Sequence, residues 1–302
     1  MSKVYNNEII MLRDRTSMRV GGPADAFYEP EDEVALIECV KECIGRGQPL
    51  FLLGNGTNVI VMDSGYPGAV ISTLKALSGM EIEAETLRCG AGESLARVCR
   101  FAADSGLTGL EELSGIPGTV GGAIFMNAGS YDREIADVLI SVRAYDIENC
   151  KYIMLTNDDC EFGYRTSLFK HEGHIILSTE FGLATGAKDE IHSKISEYTR
   201  LRNEKQPVEL PSVGSFFKRP KGGFAGRLIE EAGLKGARVG GAQVSEKHAG
   251  FIVNTGGATA SDVLALADLV KAKVFENSGV LLEEEPVIIG PEVGEGTEDR
   301  GQ

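Results

Sequence analysis

The stretch GIPGTVGGAIFMNAGSY, Gly115 to Tyr131, contains five glycines, one proline and no charged residue, although 25% of the chain is charged. Gly118, Gly121 and Gly122 lie close together within it. Because glycine has no Cβ, such a segment allows main-chain N–H groups to approach a ligand closely. The stretch therefore predicts a loop that cradles a ligand.

A second glycine loop lies in LLGNGTNVIV, Leu52 to Val61. It is not a dinucleotide fingerprint, because Val59 occupies the third glycine position and a β-branched run follows where that motif needs a helix. Neither loop has the Lys-Ser/Thr pair of a P-loop, which argues against a nucleotide triphosphatase. Alone, a G-x-G also fits a structural turn. Together, two such loops can hold one long phosphate-bearing cofactor, with polar contacts from Thr57, Asn58, Thr119 and Asn127.

The composition restricts the class of partner. With 302 residues the chain can form two or three compact units, and its formal charge is 30 − 45 = −15. This balance argues against a general nucleic-acid binder and against attraction to anionic membranes. The window from Arg200 to Arg227 reverses the sign, with seven basic residues against Glu204 and Glu209. It fits either a site for an anionic ligand or a solvated helix end with its loop.

The six cysteines form no C-x-x-C motif, and Cys39 and Cys43 fit one helix face, which is typical of reduced thiols in a cytosolic protein. The segment MSKVYNNEII lacks the pattern of a secretory signal. The uncharged run Leu113 to Tyr131 is broken by Pro117 and glycines, so we expect no membrane span. The acidic tail after Gly290 is expected to fray.

Periodicity and punctuation predict the main elements. The predicted helices are one from Pro30 to Gly45 with Val34, Ile37, Val40 and Ile44 inward, and further helices at Glu93–Ser105, Lys188–Asn203 and Ser261–Asn277. One predicted strand ends at Tyr28. The other predicted strands cover residues 49–54, 59–62, 138–145, 152–155, 174–183 and 251–254. Pro207 and Pro211 follow the third helix and mark a boundary. We expect three units: residues 1–68, 69–206 and 207–302.

Seven motifs in a fixed order resemble one known family. They are RVGGPAD (19–25), LGNGTNVIV (53–61), SGIPGTVGGAIFMNAGSY (114–131), FGYRTSLFK (162–170), GSFFKRP (214–220), AGRLIEEAGLKG (225–236) and GGAQVSEKHAGFIVN (240–254). This set is similar to the UDP-N-acetylenolpyruvoylglucosamine reductases, flavoenzymes that make UDP-N-acetylmuramate for bacterial cell walls. The likeness runs from about Arg19 to Gly290. The spacing of 50 positions from Arg165 to Ser215 resembles the shorter family form, which lacks a tyrosine-bearing insertion.

The resemblance implies an α+β protein. A two-subdomain FAD-binding module of the vanillyl-alcohol-oxidase-like (PCMH-type) fold would precede a C-terminal α+β substrate-binding domain. FAD would be noncovalent and NADPH would be the hydride donor. The resemblance places the cofactor against Gly54, Asn55, Gly56, Thr57, Asn58, Pro117, Gly118, Thr119, Gly121 and Gly122. It further implies a cytoplasmic enzyme whose partners are NADPH and a UDP-sugar, without nucleic acid, membrane or an obligate protein partner.

By motif position, Arg165 resembles the family's carboxylate-side arginine, Ser215 its proton donor and Glu285 its acidic residue. A surface arginine and a turn serine are the alternatives for the first two. Pro286 and Val287 stand where the family has valine and arginine, so Glu284 competes with Glu285. The resemblance also implies that Tyr164, Lys218 and Arg219 bind substrate.

The histidines are expected to be structural. His248 is expected to pack or to orient substrate, and His171 with His174 to lie in a hairpin, because no third metal ligand is suggested. We therefore expect no metal site.

Two rival functions stay open. One is another FAD-linked oxidoreductase with oxygen as acceptor. The other is a flavin- or nucleotide-sugar-binding protein without catalysis, which a broken Arg165, Ser215 or acidic position would reveal.

Overall fold

The computed structural model describes residues 3–4, 9–171 and 173–291. Its α-helices are α1 (Glu33–Gly45), α2 (Leu95–Asp104), α3 (Val120–Phe125), α4 (Lys188–Lys205), α5 (Ala225–Glu231) and α6 (Ala260–Ser278). Short 3-10 helices cover Leu12–Asp14, Glu111–Leu113, Ile135–Asp137, Asp158–Cys160 and Leu168–Lys170. Apart from Pro291, the tail expected to fray lies outside the described residues.

Most of the strands are short. In chain order they are β1 (Lys3–Val4), β2 (Ala24–Glu29), β3 (Leu50–Leu53), β4 (Val59–Val61), β5 (Tyr66–Ser72), β6 (Met80–Glu83), β7 (Thr86–Gly90), β8 (Leu107–Thr108), β9 (Gly129–Ser130), β10 (Arg133–Glu134), β11 (Leu139–Asp146), β12 (Lys151–Thr156), β13 (His174–Gly182), β14 (Ala184–Thr185), β15 (Arg238–Val239), β16 (Ala242–Val244), β17 (Ile252–Asn254) and β18 (Val287–Ile289).

The first sheet has the order β1-β2-β5-β3, with β5 parallel to both neighbours. Helix α1 packs on it and begins after Asp32, whose side chain accepts a hydrogen bond from the Ala35 N–H at 2.8 Å. The predicted apolar stripe of α1 was partly wrong. Val34 and Ile44 are 65% and 45% exposed, because the buried face follows Leu36, Ile37, Cys39, Val40 and Cys43.

Strand β5 crosses the predicted boundary between residues 68 and 69, and its neighbours β2 and β3 both belong to the first sheet. Because a boundary inside a paired strand would divide that sheet, we infer that the first unit ends after Ser72. The remaining division of the chain stays a prediction.

The second sheet is antiparallel, with the order β12-β11-β13-β7-β6. Helices α2 and α3 contribute to its apolar core, in which Leu95, Val98, Val120 and Ile124 are fully buried. Helix α4 lies where the sequence predicted a helix, after the last strand of this sheet, and Ile191 is the only buried residue among those described on it.

The C-terminal part packs α5 and α6 against the antiparallel sheet β15-β16-β17. Gly279 ends α6 in a left-handed conformation (φ 73°), as the sequence predicted. Phe216 and Phe217 are buried in the same core, together with Met18 and Ile60 from the N-terminal part. The two parts of the chain therefore share one apolar core.

Strand β4 lies within the predicted first unit but does not pair with the first sheet. It pairs in parallel with β18 from the end of the chain, with Val59 opposite Val287 and Val61 opposite Ile289. Nearby, the carboxylate of Asp63 accepts hydrogen bonds from the N–H groups of Ala260 (2.7 Å) and Ser261 (3.0 Å) at the start of α6. These contacts bring the acidic C-terminal motif next to the first glycine loop.

Candidate active site

A cleft of about 820 Å³ opens between the two glycine loops and the linker after α4. This volume is in the range of sites for organic ligands. Gly54, Asn55 and Thr57 line it from the first loop, Gly115 and Pro117 from the second, and Pro211 from the linker. The two loops touch directly, because the Thr57 hydroxyl donates a hydrogen bond to the Pro117 carbonyl (3.2 Å).

The main chain of the first loop is arranged like an anion-binding nest. Two of its carbonyls accept hydrogen bonds within the chain: that of Gly56 from the Ser17 N–H (3.0 Å) and that of Asn58 from the Val287 N–H (2.9 Å). By contrast, the N–H groups of residues 55–58 donate no hydrogen bond to any described residue. Several such donors in one turn suit a phosphate group.

Glycine is needed where the loops approach each other. A Cβ on Gly54 would lie 2.5 Å from the Thr119 hydroxyl oxygen, and one on Gly118 (φ 131°) would lie 3.0 Å from that of Thr57. Gly56 (φ 61°) packs against the Arg15 carbonyl. The contact between the loops therefore excludes side chains at these positions.

The second stretch departs from the predicted loop, because Gly121 and Gly122 lie in the first turn of α3. The Gly121 N–H donates to the Ala91 carbonyl (2.8 Å), and the Gly122 N–H to the Thr119 hydroxyl (3.2 Å), which caps the helix. A Cβ on Gly121 would meet Ala91 at 3.0 Å. These two amides and the Thr119 side chain are thus engaged within the protein and not offered to a cofactor. The glycine at 121 serves close packing.

Two predicted polar contacts are likewise internal. The Asn58 amide donates to the Glu285 carbonyl (3.4 Å), so it ties the first loop to the acidic motif. Asn127 is 0% exposed, and both ends of its side chain bond to the main chain. The Asn127 side chain is therefore not available to a ligand in this arrangement.

The candidate catalytic residues converge on Arg165 and Glu285, whose Nε and Oε1 atoms are 3.4 Å apart. Arg165 also donates through Nη2 to the Gly129 carbonyl (3.1 Å), and its guanidinium carbon lies 5.0 Å from the centre of the Tyr164 ring. Its side chain is 19% exposed and its backbone is left-handed (φ 56°). A constrained, half-buried guanidinium of this kind differs from the alternative of a surface arginine.

Three consecutive glutamates each face a different cation. Glu283 pairs with Lys218, Glu284 with Lys271 (2.7 Å) and Glu285 with Arg165. The register follows from a short antiparallel contact, because the Lys218 N–H donates to the Glu283 carbonyl and the Glu285 N–H to the Phe216 carbonyl. This arrangement favours Glu285 over Glu284 as the acidic residue of the site.

Burial raises the pKa of the Glu285 carboxyl above its ordinary value, although Arg165, Lys170 and Lys218 pull it down. The same environment lowers the pKa of Lys170 through burial, with Lys218 adding to the effect. The site therefore holds a carboxyl that can carry a proton closer to neutrality than an exposed glutamate can.

Ser215 precedes the strand-like segment that pairs with the acidic motif. Its residue is exposed, and its hydroxyl makes no hydrogen bond to any residue that the structure describes. The following Phe216 and Phe217 are 0% and 4% exposed. The buried phenylalanines hold the serine at the edge of the cluster and leave its hydroxyl accessible.

The predicted substrate residues lie in the same cluster. The Tyr164 hydroxyl accepts a hydrogen bond from the Arg219 N–H (2.9 Å), and the Arg219 guanidinium lies 4.4 Å from the centre of the Phe224 ring. Lys218 and Arg219 are both adjacent to the acidic motif through the pairing described above. Tyr164 is 51% exposed and so offers a face to a ligand.

The basic window from Arg200 to Arg227 does not form one patch. Arg200 pairs with Glu197 and Glu204, and Arg227 with Glu231, which fits the solvated alternative. Arg202 lines the cleft, and burial lowers its pKa. Lys218 and Arg219 belong to the catalytic cluster.

Sequence reasoning missed Lys170, although this residue ends the FGYRTSLFK motif. Its Nζ lies 5.6 Å from the centre of the Phe125 ring, and its charge interacts with Glu285 and Lys218. The signal that could have identified Lys170 was its position, because it is a cationic residue inside one of the matched motifs.

His248 packs as predicted, with its ring 5.0 Å from that of Phe251 and its Nδ1 accepting from the Gly250 N–H (3.1 Å). Burial lowers its pKa. In the described part of the chain, no group of three His, Cys, Asp or Glu side chains is placed to hold a metal ion. None of the helices in the described ranges combines the length and the apolar character that a bilayer crossing requires.

The cleft between the two glycine loops, with a cluster of cations around a partly buried carboxyl nearby, is an arrangement suited to a cofactor-dependent enzyme, and two family models define the class as FAD-dependent oxidoreductases. The model described as "FAD binding domain" matches residues 24–154. The model described as "UDP-N-acetylenolpyruvoylglucosamine reductase, C-terminal domain" matches residues 206–289.

Curated relatives agree with both matches. The chain is 44% identical over 294 residues to a UDP-N-acetylenolpyruvoylglucosamine reductase of Clostridium perfringens, covering 96% of each chain. It is 42% identical over 292 residues to one of Clostridium botulinum, covering 96% of this chain and 95% of the relative. The crystal structure of the Thermus caldophilus enzyme superposes with a TM-score of 0.80 at 37% identity, covering 96% of this chain and 100% of the other.

The chain therefore belongs to the UDP-N-acetylenolpyruvoylglucosamine reductase family. The predicted fold class, an FAD-binding module of the vanillyl-alcohol-oxidase-like type followed by a C-terminal α+β domain, is confirmed. The nest of free N–H groups at residues 55–58 fits the pyrophosphate of FAD.

Proposed function

We propose that the protein reduces the enolpyruvyl group of UDP-N-acetylglucosamine enolpyruvate to give UDP-N-acetylmuramate, a step of peptidoglycan precursor synthesis, with NADPH as the source of the hydride. Family membership supports the reaction type. The Arg165–Glu285 contact carries the proposal, because it places a cation suited to a carboxylate beside a buried acid at one end of the FAD-binding part.

The chemistry that FAD would supply in this site is hydride transfer from NADPH to the terminal carbon of the substrate double bond. The first loop, from Gly54 to Asn58, would hold the cofactor pyrophosphate through its main-chain N–H groups. Pro117 and Gly118 would form the facing wall, and the Thr57–Pro117 bond keeps the two loops in contact. Gly121, Gly122 and Thr119 support this wall from within α3.

Arg165 would bind the substrate carboxylate. Its bonds to Gly129 and Glu285 use part of the guanidinium fork and leave other N–H donors for that group. Since hydride addition increases negative charge toward the carboxylate, this fixed cation stabilises the transition state more than the ground state.

Ser215 would give a proton to the carbon next to the carboxylate. Glu285, with its raised pKa, can pass a proton into the cluster or stabilise the intermediate. Tyr164, Lys218 and Arg219 would hold the rest of the substrate, with the cations at its diphosphate.

The arrangement argues against the two rivals. An oxygen-linked oxidase has no use for the C-terminal domain that matches residues 206–289. A binding protein without catalysis would not need Arg165, Ser215 and Glu285 together, and all three are present.

The test is a visible spectrum of the purified protein with FAD, followed by anaerobic addition of NADPH and then of the enolpyruvyl substrate. We expect a flavin spectrum that NADPH bleaches and the substrate restores. A protein that gains no flavin spectrum, or a reduced flavin that only oxygen restores, would overturn the proposal.

We further propose that the enzyme acts in the cytoplasm with small-molecule partners alone. All six cysteines are free thiols and five of them are buried, which suits a reducing compartment. The charge of −15 is unfavourable for binding nucleic acid. A single species of monomer mass in sedimentation with cell extract would support the absence of an obligate protein partner.

A further inference from the structure

We propose that Asn127 is a positioning residue for Arg165, a role that rests on the proposed function. Asn127 is 0% exposed and lies at the end of α3 in a left-handed conformation (φ 42°). Both polar atoms of its side chain are used. Nδ2 donates to the Gly163 carbonyl (3.0 Å), and Oδ1 accepts from the Ala136 N–H (3.0 Å).

These two bonds reach both parts of the Arg165 environment. Gly163 lies two residues before Arg165, so the first bond fixes the backbone that carries the guanidinium. Ala136 follows the hairpin β9–β10, which contains the Gly129 carbonyl that accepts from Arg165 Nη2 (3.1 Å). One buried amide thus sets the position of the arginine relative to its own acceptor.

The backbone of Arg165 needs such support. A non-glycine residue at φ 56° is in a sparsely populated region and persists when its surroundings impose it. Ser167 supplies a second attachment, since its buried hydroxyl donates to the Phe125 carbonyl (2.8 Å). The segment that bears Arg165 is therefore held on both sides of the arginine against the end of α3.

The substitution Asn127→Asp tests the role with little change in shape. Aspartate tolerates the left-handed backbone and can still accept from Ala136, but it cannot donate to Gly163 and repels that carbonyl. Because small misplacements of a binding group can cost about 100-fold in rate, we expect reoxidation of the reduced flavin by the substrate to slow by about 10- to 100-fold. FAD affinity and reduction by NADPH should stay within about threefold of wild type.

Asn157 provides a matched control. Its amide donates to the carbonyls of Ala136 and Leu139, both at 2.7 Å, so it shares the neighbour Ala136 with Asn127 but makes no hydrogen bond to Gly163 or to Arg165. We expect Asn157→Asp to lower the melting temperature without slowing reoxidation by more than about twofold. Equal slowing in both variants, or a wild-type rate for Asn127→Asp, would overturn the proposal.

A double-mutant cycle shows whether Asn127 acts through Arg165. In single-turnover reoxidation, Asn127→Asp should add less than about twofold to the effect of Arg165→Met, because the positioned group is already absent. Fully additive effects would contradict the role.

A structural measurement tests the role independently of the reaction. If the substrate fails to reoxidise the wild-type flavin, the proposed reaction is wrong, and crystal structures then decide about Asn127. An Arg165–Glu285 separation that increases in Asn127→Asp supports positioning, and an unchanged one contradicts it.

Discussion

Arg165 and Glu285, separated by 120 residues in the sequence, form an ion pair with a distance of 3.4 Å between Nε and Oε1. This pair joins the segment between β12 and β13 to the C-terminal motif. It depends on two contacts of the C-terminal motif: the pairing of β18 with β4, and the hydrogen bonds that Glu283 and Glu285 make with Lys218 and Phe216. If the register of the β18–β4 pairing shifted by one residue, a neighbour of Glu285 would lie opposite Arg165 in its place.

The neighbouring glutamates give a direct test of this register. We expect Glu285→Gln to slow reoxidation of the flavin by the enolpyruvyl substrate by about 100-fold or more, since it removes a group placed to transfer protons. Glu284→Gln should change the rate by less than about threefold, because Glu284 faces Lys271. Stopped-flow absorbance measures both variants, and the reverse order would assign the role to Glu284.

Ser215→Ala should separate the two half-reactions. The variant is expected to bind FAD and to be reduced by NADPH at close to the normal rate, because the serine lies outside the cofactor loops. Reoxidation by substrate should slow by about 10² to 10⁴ if the hydroxyl is the proton donor. Stopped-flow traces of one sample resolve both steps. Near-normal reoxidation would remove Ser215 from the mechanism, and equal slowing of both steps would indicate a general role in shaping the site.

The contact between the glycine loops predicts a cofactor defect for Gly54→Ala. The new Cβ would lie 2.5 Å from the Thr119 hydroxyl oxygen, so the first loop must move away from the second. We expect FAD affinity, measured by fluorescence titration, to fall by about tenfold or more. Gly45→Ala is the control, because no atom lies within 4 Å of its added Cβ. Unchanged affinity in Gly54→Ala would show that the loop contact does not shape the cofactor site.

Asp63 links the first unit to the start of α6 and should stabilise the fold in a pH-dependent manner. Burial alone would raise the pKa of Asp63, but hydrogen bonds from Ser261 and Ala260 outweigh it and lower the pKa. The stabilisation is therefore present above the unfolded pKa of about 4 and is lost as the pH falls through the folded value.

We expect Asp63→Ala to reduce the free energy of unfolding at pH 7 by about 1 kcal/mol, as for other helix caps. Urea titrations at pH 7 and below pH 4 measure the difference from wild type, which should shrink at the lower pH. A difference that stays constant across this range would show that the charge of Asp63 does not contribute.

Much of the local structure could be read from the sequence. The helix that ends at Gly279 and the strand at residues 59–61 followed from periodicity, glycine position and β-branched runs, which act over a few residues. The ordered motifs were sufficient to indicate the family, the cofactor and the residues of the candidate site. These signals are local or depend on motif order, so they need no knowledge of packing.

Tertiary structure decided what the glycines and polar residues do. Gly121 is a glycine because Ala91 packs against it, and Asn127 is buried between Gly163 and Ala136. Ala91 and Gly163 are distant from these residues in the sequence, and Ala136 belongs to none of the motifs. Likewise, β4 pairs with β18 near the end of the chain and not with the strands of the first sheet. Such choices depend on which segments compete for the same hydrogen bonds and space after the chain collapses, and a linear pattern does not contain that information.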